Sequence, residues 1–76
     1  MTYFEAISIQ QDLIVAMQYS EAFNKTAAEA LKETAAKYTN DQFAEAYKVI
    51  CAKMKEEKEQ LKTLLTLAAA SKRGKR

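Results

Sequence analysis

Apolar residues recur at the helical period along almost the whole chain. Between Asp41 and about Ala70, one face collects Phe43, Ala46, Tyr47, Ile50, Met54, Leu61, Leu64, Leu65 and Ala68 at about 100° per residue. Lys48, Lys55, Glu59, Lys62 and Thr66 lie away from that face. The pattern predicts one amphipathic helix, about 45 Å long at 1.5 Å per residue. One turn of it is different. Lys55 to Gln60 contains no apolar residue, and Glu57 and Lys58 take the inner and flanking positions. That turn predicts either a wet gap between two packed ends or a polar contact that sets register.

The two preceding segments read differently. From Ala27 to Tyr38, Ala27, Ala28, Leu31, Ala35 and Tyr38 form a narrow apolar face opposite Glu29, Lys32, Glu33 and Lys37. From Tyr3 to about Phe23, Ala6, Ile9, Leu13, Ala16 and Met17 share one face. Phe4, Ile7, Ile14, Val15 and Ala22 fill the opposite one. A helix that is apolar on most sides needs cover on most sides, and one neighbour cannot supply it.

Three pairs mark helix starts: Thr2 with Glu5, Thr26 with Glu29, and Thr39 with Gln42. In each, the hydroxyl can accept the third helical amide while the longer side chain reaches back. The expected fold is therefore an all-α, small helical bundle of three helices, at about 3–24, 27–38 and 41–70. The alternative is a two-helix hairpin with its turn at 38–40, because Asn24-Lys25-Thr26 could lie within one helix over 3–38. Either arrangement leaves apolar surface on the first segment, so dimerisation is expected.

Composition agrees with helices. The chain has 76 residues, 14 of them Ala, no Pro and one Gly, Gly74, which disfavours an all-β fold. It divides into one helical domain over 1–70 and a basic flexible C-terminal tail over 71–76. With no His and a single Cys, histidine acid–base chemistry, Cys/His zinc sites and disulfide frameworks are excluded within one chain. Cys51 reads as a small core or boundary residue, since a thiol nucleophile needs a base. The Glu56, Glu57 and Glu59 cluster is interleaved with lysines and reads as a solvated face. No catalytic residue, metal or cofactor is implied, and an enzyme is not expected. One unpaired thiol suits a reducing compartment, so the expected location is cytoplasmic.

Charge is unevenly placed. Residues 1–24 carry Glu5, Asp12 and Glu21 and no base, for a net −3. Residues 61–76 carry Lys62, Lys72, Arg73, Lys75 and Arg76 and no acid, for a net +5. Two binding chemistries follow. The first is a protein–protein interaction module (a small adaptor, regulator or inhibitor) docking through Phe4, Ile7, Ile14, Val15, Met17 and Phe23, with another protein or a second copy as partner. The second is nucleic-acid binding through Lys48, Lys55 and Lys62, spaced by seven on one helix face, together with Lys72, Arg73, Lys75 and Arg76. A membrane surface is disfavoured, because the polar side of the Leu61–Ala70 stretch is thin in lysine.

Overall fold

A computed structural model describes residues 1–72. Four helices form: α1 (Tyr3–Ala22), α2 (Ala27–Ala35), α3 (Asn40–Lys53) and α4 (Lys55–Lys72). No strand occurs among the described residues.

The three expected helix starts are all present as complete capping boxes. The Thr2, Thr26 and Thr39 hydroxyls accept from the Glu5, Glu29 and Gln42 amides. Those three side chains in turn accept from the cap amides at 2.7, 3.2 and 2.7 Å. Each box satisfies donors that the first helical turn otherwise leaves free.

The chain turns between α1 and α2, so residues 3–38 are two helices. Asn24 takes the left-handed backbone conformation at φ 57°. The Lys25 amide then donates to the Ser20 carbonyl at 2.9 Å. This is the six-to-one bond of a helix stop with asparagine at the left-handed position. The two-helix hairpin is thereby excluded. α2 ends at Ala35, before the expected Tyr38, through tight turns from Lys37 to Thr34 and from Tyr38 to Ala35.

The expected helix over 41–70 is not continuous, and the three-helix count is corrected to four. Met54 adopts an extended backbone, φ −135° and ψ 123°, and joins α3 to α4 as a single-residue elbow. Its amide closes α3 onto the Ile50 carbonyl at 2.8 Å, and its carbonyl opens α4 by accepting from Lys58 at 3.1 Å. The physical reason is burial. A straight helix over these residues would measure about 45 Å, whereas the longest dimension of the molecule is 34 Å. Folding back at Met54 places Leu61, Leu64 and Ala68 in the common core.

The helices pack in a closed circuit. α1 lies against α2 and α3, α4 lies against the same two, and α1 touches α4 across the middle. α2 and α3, though successive, do not pack together. The core is Ala6, Ile9, Leu13 and Ala16 from α1, Ala30, Leu31 and Ala35 from α2, Phe43, Ala46 and Ile50 from α3, and Leu61, Leu64 and Ala68 from α4. Alanines at six of these positions let the helix axes approach closely. The buried face of α2 is rotated from the expected one: Ala30 is inside and Ala28 outside. The Ala28 carbonyl instead accepts from the Ser71 hydroxyl of α4. α4 thus runs two residues beyond the expected domain end at 70.

The polar turn of α4 makes a specific contact. Gln10 is 2 % exposed, and its amide nitrogen donates to the Glu57 carbonyl at 3.3 Å and the Gln60 side-chain oxygen at 3.4 Å. No buried side-chain polar atom among the described residues lacks a partner.

Candidate interaction surface

The outer face of α1 departs most from an ordinary solvated helix. Phe4 is 87 % exposed, Val15 56 % and Phe23 61 %. Single exposed apolar residues are commonplace, but several along one helix are not. Phe4, Ser8, Gln11, Val15, Gln18 and Ala22 are all exposed and alternate in steps of four and three residues. Such steps keep side chains on one seam, as in a coiled coil. The seam runs about 27 Å without a charge.

Carboxylates lie along both edges. Glu5 and Asp12 share one edge with Tyr19, and Glu21 shares the other with Ile7 and Ile14. α1 carries no basic residue. At the far end the Tyr19 and Phe23 rings meet at 4.5 Å, and the Lys25 ammonium sits 5.1 Å from the Tyr19 centroid.

The expected interface residues divide into two groups. Phe4, Val15 and Phe23 are exposed, with Phe23 just past the helix as its cap. Ile7, Ile14 and Met17 are half-buried and pack against the core. α1 packs against α2, α3 and α4, which together cover more of it than one neighbour could. Tyr19, 42 % exposed, belongs with the outer group but lies outside the six expected interface residues. Its place on the edge occupied by Glu5 and Asp12, seven residues apart each time, was the available signal.

Asp12 is turned toward the fold. It accepts from the Tyr38 hydroxyl. Burial, and then the bond to Asp12, push the Tyr38 phenol up to about 12. The N-terminal ammonium pairs with Glu45 of α3 at 2.8 Å, which raises the amine and lowers the carboxyl.

The lysine ridge does not exist as one helix face. The Met54 elbow puts Lys48 on α3 and Lys55 and Lys62 on α4. All three are exposed, and Lys62 borders a shallow cleft with Ala44, Tyr47, Leu65, Thr66 and Ala69. Lys72 is engaged by the fold: its ammonium donates to the Tyr38 carbonyl at 2.8 Å and lies 5.9 Å from the Phe43 centroid. Arg73, Lys75 and Arg76 lie outside the described residues. Cys51 is exposed rather than at the core boundary, because it lies about 100° around α3 from buried Ile50. No helix of the described residues is long and apolar enough to cross a membrane.

Comparison with protein-family models, curated proteins and solved structures finds no match to this chain.

Proposed function

We propose that this chain is a non-enzymatic protein–protein interaction module whose outer α1 seam docks an amphipathic helix of another protein. The observation that carries the reading is Phe4, 87 % exposed, at the head of an uncharged seam edged by acids. Charge complementarity selects the partner: an apolar helical stripe flanked by lysine or arginine. Action is by occupancy, as in a small adaptor, regulator or inhibitor. Single Cys51 supports residence in a reducing cytoplasm.

The test uses two synthetic helical peptides with the same apolar stripe, one flanked by lysines and one by glutamates. The lysine peptide is expected to bind the full chain more than about tenfold tighter. Phe4→Glu with Val15→Glu is expected to remove binding while helicity, read by circular dichroism, stays. Binding that survives both substitutions, or no binding of either peptide, overturns the reading.

A further inference from the structure

α4 is attached in a way that permits its exchange. α3 and α4 form an antiparallel hairpin: Ala44 and Tyr47 share a cleft with Lys62, Leu65, Thr66 and Ala69, and Lys72 reaches back over Phe43. Only Met54 joins them. Yet the residues on either side carry the pattern of one helix. Phe43, Ala46 and Ile50 are buried, as are Leu61, Leu64 and Ala68. Met54 and Glu57 complete the same steps of three and four between them. No Gly or Pro occurs from Asn40 to Lys72, so nothing covalent prevents a straight helix.

The elbow is also the one helix start among the described residues without a capping box. α1, α2 and α3 each begin with a capping box. α4 begins after Met54, whose side chain offers no comparable oxygen acceptor, and which is itself 45 % exposed. Glu57, at the position a box would use, instead accepts from the Tyr3 hydroxyl at 3.1 Å. The extended backbone at Met54 keeps the Lys55, Glu56 and Glu57 amides from the Cys51, Ala52 and Lys53 carbonyls. Straightening would make those bonds.

We infer that two copies of this chain exchange α4. Met54 becomes helical, α3 and α4 fuse into one helix, and α4 packs onto α1, α2 and α3 of the second copy. The occupant follows from the existing interface, because the surface that α4 vacates is shaped and charged for α4. The dimer is isologous, with its two-fold axis near Met54, and repeats the monomer's core contacts between chains. The outer α1 seam takes no part, so this inference stands or falls separately from the proposed function.

The exchange is tested in the full chain carrying Cys51→Ser, Ala28→Cys and Ser71→Cys. Positions 28 and 71 adjoin, since the Ser71 hydroxyl bonds the Ala28 backbone carbonyl. After refolding at high concentration, monomer and dimer are separated by size with light scattering and then oxidised. The link is expected within one chain in the monomer and between chains in the dimer. Met54→Ala is expected to raise the dimer association constant and Met54→Gly to lower it, so that the two variants differ by more than about tenfold. Hydrogen exchange on the unsubstituted protein covers any failure of the cysteine variant to fold. There, the Lys55–Glu57 amides should be protected in the dimer and exchange freely in the monomer. Monomer alone at every concentration, with Met54→Ala included, overturns the inference. So does a dimer linked within chains, or one with those amides unprotected.

Discussion

The Tyr3 hydroxyl donates to the Glu57 carboxylate at 3.1 Å, joining the first turn of α1 to the first turn of α4 across 54 positions of sequence. The Lys53 ammonium lies 5.7 Å from the same Tyr3 ring. Gln10, two turns further along α1, binds the Glu57 carbonyl. These contacts hold the elbow closed. Tyr3→Phe and Glu57→Gln should therefore be non-additive in a double-mutant cycle read by urea unfolding, whereas independent effects would show that the pair is not coupled.

Gln10 is the buried member of this group. Gln10→Ala should cost about 1–3 kcal/mol, through a cavity and the lost amide bonds. Denaturant midpoints measure it, and an unchanged midpoint would mean that α1 does not seat α4 through Gln10.

Phe4 and Leu13 make opposite predictions on the same helix. Leu13 is fully buried at 0 % exposure, so Leu13→Ala should destabilise by about 2–5 kcal/mol. Phe4→Ala should change stability by no more than about 0.5 kcal/mol. Comparable losses at the two sites would place Phe4 under cover.

Tyr38 contributes to the loss of stability at alkaline pH. Its phenol is raised to about 12 in the fold from 10, chiefly by burial and then by the Asp12 bond. The unfolded chain therefore releases this proton first. The contribution is complete below pH 10 and is lost as pH rises from 10 through 12. Solvent screening limits it to about 1 kcal/mol. Tyr38→Phe should cost about that much at pH 7 and flatten the decline above pH 10. Parallel pH curves for both proteins would argue against it.

Thr39 supplies the cap of α3, the helix that carries the elbow. Thr39→Ala should cost about 1 kcal/mol in thermal or urea unfolding. A loss as large as a core substitution would mean that α3 depends on its cap more than on packing.

Local chemistry was legible in the sequence to the degree that it is local. The three capping boxes need only residues three apart, and all three formed. Ala6, Ile9, Leu13 and Ala16 lie on one helical face by spacing alone, and that face is the one buried. The outer apolar residues Phe4 and Val15 could be named because the periodic pattern had no second partner to offer them. Asn24, by contrast, was compatible with a turn or with a continued helix, since asparagine tolerates either backbone.

Sequence by itself therefore determined the helical class, the starts of α1, α2 and α3 and the inner face of α1, because each depends on contacts within a turn or two. Tertiary structure decided the bend at Met54, the burial of Gln10 and the dispersal of Lys48, Lys55 and Lys62 over two helices. The helical period includes Met54 and, after the polar turn Lys55–Gln60, resumes in phase at Leu61, and no Gly or Pro breaks the helix there. Lys53 in the last turn of α3 and Glu56 and Glu57 in the first turn of α4 do suit the charges of two helix ends. That hint is worth only about 0.3–1 kcal/mol per charge. Burying Leu61, Leu64 and Ala68 against three other helices outweighs it, and that gain exists only once α1, α2 and α3 are in place.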